Sequence, residues 1–131
     1  MRLLFASAAL AAALLLSSAA FAQTAFVEGH VFNKRTGVPL SGAVVRVFEN
    51  VTLRPVPVEL ASGITDDNGF YQFEVEKFLG APARIEVVCA TPWGEVHGRS
   101  SARLREGLVR RDVYLGRWWY LTRCQPMELL E

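Results

Sequence analysis

The sequence concentrates carboxylate and amide side chains in one short stretch, TDDNGFYQF at residues 65–73. Oxygen ligands of this kind suit Ca²⁺, and an EF-hand loop requires Gly at its sixth position and Glu at its twelfth. A loop that starts at Asp66 has Tyr71 and Lys77 at those positions, and a start one residue later fails as well. The stretch is therefore not a calcium loop of this type.

The same residues have the composition of a tight turn between two strands. Asp and Asn side chains bond to nearby backbone groups, and Gly adopts the positive φ that such turns require. We predict a hairpin turn built by Asp66, Asn68 and Gly69, which directs Tyr71 and Phe73 into a core.

Catalytic signals are sparse. The chain has two histidines, His30 and His97, and no nucleophile-elbow motif beside them. It has no HExxH, CxxC or phosphate-binding loop, so we expect no metal and no cofactor. Nothing in the composition indicates a nucleic-acid partner.

Two features near the C-terminal end concern structure and binding. Cys89 and Cys124 form an even pair, which in an oxidising compartment predicts a disulfide worth about 3.8 kcal/mol by loop closure. The alternative is two buried free thiols. Consecutive aromatic residues in a strand cannot all share one face, so at least one of them should be exposed. We therefore predict a binding surface at Arg117, Trp118, Trp119, Tyr120 and Arg123. The alternative is that the C-terminal tail covers these residues.

The charge is distributed unevenly. Residues 99–123 hold seven arginines but only two acidic residues, Glu106 and Asp112. Such a basic segment most simply solvates the outer faces of strands. The alternative is contact with an anionic surface such as phospholipid, lipopolysaccharide or acidic glycan.

The N-terminal residues 1–22 have the pattern of a secretory signal peptide. Arg2 supplies the positive start, a long Ala- and Leu-rich run follows, and the A-x-A site ends at Ala22. We therefore expect an exported protein, secreted or periplasmic, whose mature domain is residues 23–131 and does not span a membrane. Arg2 would be removed with the leader, so the mature domain has 13 basic and 13 acidic side chains and is formally neutral.

Short runs rich in Val, Phe, Ile and Tyr alternate with Gly, Pro, Asn and Asp, which predicts an all-β sandwich of about seven strands. Residues 51–60 contain two prolines and should form an edge strand or a loop. Alternation directs Tyr71, Phe73 and Val75 inward. In other strands it places three sets of residues each on one face: Ala43, Val45 and Val47; Ile85, Val87 and Cys89; and Val109, Val113 and Leu115. The other strands are expected at residues 25–32, 41–49, 70–76, 84–91, 96–104 and 108–118.

Three stretches resemble the carboxypeptidase regulatory-like domain, a member of the transthyretin-like group of Greek-key sandwiches. They are VEGHVFNKRTGVPLSGAVVRVFE (27–49), GITDDNGFYQFEV (63–75) and RIEVV (84–88). The chain departs from the family at residues 78–88, where a Pro-Gly-x-Tyr segment is usual. The resemblance implies a non-catalytic module that acts through surface contacts with a protein or a glycan.

The transthyretin-like group also implies one enzymatic alternative, a hydrolase of the hydroxyisourate hydrolase type that uses His30 and His97. Gly29-His30-Val31 and Gly37-Val38-Pro39 are similar to its first motif, and Arg99 and Ser100 would be partners. The Tyr-Arg-Gly-Ser tetrapeptide that ends those enzymes is missing. The partner and the oligomeric state do not follow from the sequence.

The leader leads to a first prediction. When the chain is expressed with residues 1–22 in a secreting host, we expect cleavage after Ala22 and export. N-terminal sequencing and intact mass of the exported protein should identify Gln23 as its first residue. An unprocessed chain that stays in the membrane fraction would contradict the interpretation.

Overall fold

A computed structural model describes residues 23–50, 56–116 and 120–126. These residues form an all-β protein, and no helix occurs among them. Eight strands are present within these ranges: β1 (Ala25–Asn33), β2 (Val44–Glu49), β3 (Val58–Ile64), β4 (Phe70–Val75), β5 (Pro82–Thr91), β6 (Gly94–Arg103), β7 (Gly107–Arg110) and β8 (Val113–Leu115).

The strands form two sheets that enclose a common core. In the first sheet β1 is central and pairs antiparallel with β4 and parallel with β7 and then β8. The second sheet has the order β3-β2-β5-β6, with antiparallel pairing throughout. Two four-stranded sheets around one core are the arrangement of a β-sandwich.

The core follows the alternation of the sequence. Successive side chains of a strand point to opposite faces, so every second residue reaches the interior. Of the twelve residues that alternation groups on common faces, eleven are buried and Phe73 is half-buried against the same cluster. The two sheets approach closely at Gly98, where an added Cβ would lie 2.1 Å from Leu115 Cδ2.

Residues 51–60, which contain two prolines, were expected to form an edge strand or a loop. Their last three residues belong to β3, which is an edge strand. Among the described strands β3 pairs with β2 alone, so the missing N–H group of Pro57, just before β3, breaks no central hydrogen bond. At the opposite edge of this sheet lies β6, the polar strand expected at residues 96–104. From residue 96 to residue 103, its even-numbered residues face the interior and its odd-numbered residues face solvent.

The last predicted strand, residues 108–118, is divided into β7 and β8, which raises the strand count above seven. The division occurs where the Arg111 amide donates to Glu28 O (2.9 Å) and its carbonyl lies over Gly29. A Cβ on Gly29 would lie 1.7 Å from that carbonyl oxygen, so only glycine fits here. The Tyr71 hydroxyl donates to the same oxygen.

Asp66 organises the turn between β3 and β4. This turn carries the chain from the second sheet to the first, so the predicted hairpin is wrong, because β3 pairs with β2 and β4 with β1. Its Oδ1 accepts hydrogen bonds from the amides of Asn68 and Phe70, both at 2.9 Å. Gly69 has a φ of 71° and its amide donates to Asp66 O. Asn68 contributes its backbone amide to these bonds.

Tyr71 provides a test of the junction at Gly29. Burial raises the pKa of this phenol well above its ordinary value of 10.0, and the nearby Asp112 carboxylate raises it further. The neutral phenol therefore stabilises the fold below pH 10, and this contribution is lost as the pH rises beyond 10. We expect Tyr71→Phe to lower the free energy of unfolding by about 1–2 kcal/mol at pH 7.

Urea unfolding of both proteins between pH 7 and pH 11.5 measures this effect. The difference in stability between wild type and Tyr71→Phe should shrink above pH 10. The exposed Tyr114→Phe is the matched control and should leave both the stability and its pH dependence unchanged. A constant difference across the pH range would contradict the buried, neutral phenol.

Candidate functional site

The C-terminal segment is fixed to the second sheet by a disulfide. Cys89 and Cys124 are bonded, with a Cα–Cα distance of 5.0 Å, which confirms the predicted pair. The backbone continues the attachment on both sides, because the Cys124 amide donates to Ser41 O (2.9 Å) and the Gln125 amide to Ala90 O (2.8 Å). Residues 123–125 are therefore held in one position.

A second attachment comes from the first sheet. The side chain of Asn33 is buried at the end of β1, and its Nδ2 donates to Leu121 O (2.8 Å). Its Oδ1 accepts from the amides of Arg35 and Thr36, which uses both ends of the buried amide. The Asn33 amide thus links the start of the C-terminal segment to the sandwich.

Trp93 stands at the tip of the β5–β6 hairpin. Thr91 Oγ1 donates to Gly94 O (2.7 Å) and accepts from the Trp93 amide (3.2 Å), which closes the turn. Gly94 has a φ of 131°, a conformation that side-chain-bearing residues rarely adopt. The Trp93 side chain remains 67% exposed.

These two elements form a small cleft at one end of the molecule. The rings of Trp93 and Tyr120 meet edge to face, with centroids 5.1 Å apart. The cleft has a volume of about 180 Å³. Aromatic, hydroxyl, amide and guanidinium groups line it, from Thr91, Trp93, Tyr120, Thr122, Arg123 and Gln125. We call this site the aromatic cleft.

Part of the predicted binding surface lies in this cleft. Tyr120 and Arg123 contribute to it, whereas the prediction for Arg117, Trp118 and Trp119 falls outside the described residues. Trp93 was not among the residues predicted for this surface. The signal was available, since Trp93 follows Cys89 by four residues and Tyr120 precedes Cys124 by four.

The two histidines do not meet. His30 lies on the outer face of the first sheet, where its ring contacts Phe32 and Phe70 at centroid distances of 5.5 and 5.2 Å. His97 lies on the outer face of the second sheet, 3.9 Å from Glu95. The whole core separates them. Arg99 shares the face of His97, but Ser100 lies on the inner face of the strand.

His30 has a structural contact of its own. Its backbone amide donates to Asp112 Oδ1 (2.9 Å), and its ring Nδ1 lies 3.9 Å from the same oxygen. The pair therefore joins β1 to the connection between β7 and β8. Within residues 23–50, 56–116 and 120–126, no group of three or more His, Cys, Asp or Glu side chains is placed to hold a metal ion.

The ranges that the structure describes contain no helix with the length and apolar character needed to cross a membrane.

Comparison with known proteins identifies no family. No family model matches the sequence, and no curated protein matches it. Among solved structures, a 9R-lipoxygenase from Cyanothece PCC8801 matches with a TM-score of 0.39 and 18% identity, over 68% of this chain and 16% of that one. An (S)-allantoin synthase matches with a TM-score of 0.47 and 11% identity, over 74% of this chain and 45% of that one. The chain thus spans less than half the length of either.

The disulfide is the subject of a third prediction. Replacing both Cys89 and Cys124 by Ala should lower the free energy of unfolding by about 3–4 kcal/mol, because the unfolded chain loses a loop constraint spanning a sequence separation of 35 residues. Urea denaturation with circular dichroism measures the change. Wild type treated with reductant provides an independent comparison. Equal urea midpoints for all three samples would contradict a stabilising role.

Proposed function

We propose that the chain is an exported, non-enzymatic binding module that acts through surface contacts with a protein or a glycan partner. The observation that carries this proposal is the aromatic cleft, which the disulfide and the backbone bonds of Cys124 and Gln125 hold in a fixed shape. Preorganised aromatic side chains lose little conformational entropy when they bind, and exposed Trp and Tyr are typical of binding surfaces.

The proposed family is the carboxypeptidase regulatory-like type, with a Greek-key sandwich. Support comes from the chain path, because β1 pairs with β4 while the intervening β2 and β3 pair with each other in the other sheet. The resemblance motifs also occupy defined elements, namely β1, the entry to β2, and the turn from β3 in one sheet to β4 in the other. The leader pattern and the disulfide support a secreted or periplasmic location.

A hydrolase is the less supported alternative. General acid–base catalysis by two side chains requires both within reach of one substrate, at about 3 Å from the reacting atoms. His30 and His97 lie on opposite outer faces, so one small substrate cannot contact both.

The cleft yields a fourth prediction. On a glycan array and in pull-downs from the exported fraction of the producing cells, Trp93→Ala/Tyr120→Ala should bind its partner about tenfold more weakly, since both stacking faces are lost. Both residues are exposed, so the fold should persist, and circular dichroism checks this.

The matched control is Phe26→Ala/Tyr114→Ala, which removes two exposed aromatic rings from the outer face of the first sheet. Its binding should equal that of wild type. Unchanged binding by the cleft variant, together with lost binding by the control, would move the function to the other face and refute the role of the cleft.

A further inference from the structure

A second concave surface lies on the outer face of the second sheet, along β5 and β6. It has a volume of about 510 Å³. Its polar and basic groups come from Asn50, Arg84, Arg99, Ser101 and Arg103, beside the apolar side chains of Pro82, Ala83 and Ala102. We call it the arginine groove. It shares no residue with the aromatic cleft.

The strand register brings its three arginines together. Arg84 of β5 lies directly opposite Ser101 of β6. Arg99 and Arg103 lie two residues on either side of Ser101 and share its face, each about 7 Å away along the strand. Three long cationic side chains therefore share the outer face of β5 and β6 around Ser101, and all three line the same groove.

No carboxylate neutralises these three arginines within the ranges that the structure describes. The ion pairs there join Arg46 to Glu59, His30 to Asp112 and His97 to Glu95. Arg84 is half-buried with its guanidinium carbon 5.9 Å from the centroid of the Phe48 ring.

The environment of Arg84 is itself unusual. Its Nε is buried and has no hydrogen-bond acceptor among the described residues. A cation that is partly desolvated without a partner destabilises the fold, and a bound anion offsets this cost. Among the described residues Arg84 therefore has the Phe48 ring beside its guanidinium, but no carboxylate and no hydrogen-bond acceptor for Nε.

The remaining charges near the groove do not reverse its sign. Glu86 lies directly opposite Arg99, and it lines the adjoining cavity rather than the groove. Arg111 adds a further positive charge at the edge of β6, because its Nε donates to Ser101 O (3.2 Å). The groove therefore combines the positive charges of Arg84, Arg99 and Arg103 with the hydroxyl group of Ser101.

We propose that the arginine groove binds an oxyanion group, sulfate or phosphate, carried by a polysaccharide. Guanidinium groups match the oxygens of such anions in geometry and charge. The polysaccharide is favoured because Arg99 also lines the adjoining cavity of about 490 Å³, together with Phe48 and His97. An aromatic ring beside hydrogen-bonding groups suits the neutral sugar next to a charged one. The inference rests on the proposed binding function but on a different site.

The test measures binding of the purified protein to a sulfated heparin hexasaccharide by calorimetry at 50 and 300 mM salt. We expect Arg84→Gln/Arg99→Gln/Arg103→Gln to bind at least about tenfold more weakly, and the affinity of wild type to fall with salt. Arg99→Gln/Arg103→Gln, which leaves half-buried Arg84 intact, should show an intermediate loss and guards against unfolding.

The matched control is Lys34→Gln/Arg105→Gln/Arg110→Gln, which removes the same net charge from exposed positions outside the groove. It should change the affinity less than about twofold. Equal losses in both triple variants would show general attraction to net charge and overturn the groove. Unchanged affinity in the groove variant would overturn it as well.

Two further arms separate the source of the anion and the site. Vesicles of phosphatidylglycerol in phosphatidylcholine should not compete with the hexasaccharide. Binding of wild type to the vesicles but not to the hexasaccharide would assign the groove to a membrane surface and overturn the polysaccharide. Trp93→Ala/Tyr120→Ala should retain the hexasaccharide affinity. Loss of that affinity would assign the binding to the aromatic cleft and overturn the groove.

Discussion

The carbonyl of Arg111 over Gly29 is the contact on which the first sheet depends. It accepts the hydrogen bond of the buried Tyr71 hydroxyl, and its own amide is bonded to Glu28. Because the chain turns here, β7 pairs with the first half of β1 and β8 with the second. A side chain larger than hydrogen at residue 29 would push the two segments apart and open the sheet.

The same arginine connects the core of the molecule to its surface. Its carbonyl belongs to the junction inside the first sheet, whereas its side chain reaches the edge of β6 at Ser101. Arg111 therefore contacts both sheets, the first through its backbone carbonyl and the second through its side chain.

The two concave surfaces owe their shapes to different forces. The aromatic cleft is held by a covalent bond and two backbone hydrogen bonds, which fix a segment with little regular structure of its own. The arginine groove follows from the pairing of β5 with β6, which sets the order of side chains on the outer face. A fixed scaffold that presents exposed aromatic and cationic groups is what the proposed binding role requires.

The sequence by itself determined the alternation of the strands, the turn at Asp66 and the cysteine pair. These features follow from local periodicity, local side-chain bonding and a count of two thiols. Only the tertiary structure decided that the closing strand divides at Arg111 and that Trp93 joins Tyr120. It also placed Arg84 beside Arg99 and Arg103. Such contacts join residues far apart in the chain, and they depend on strand register and sheet packing, which no single stretch of sequence encodes.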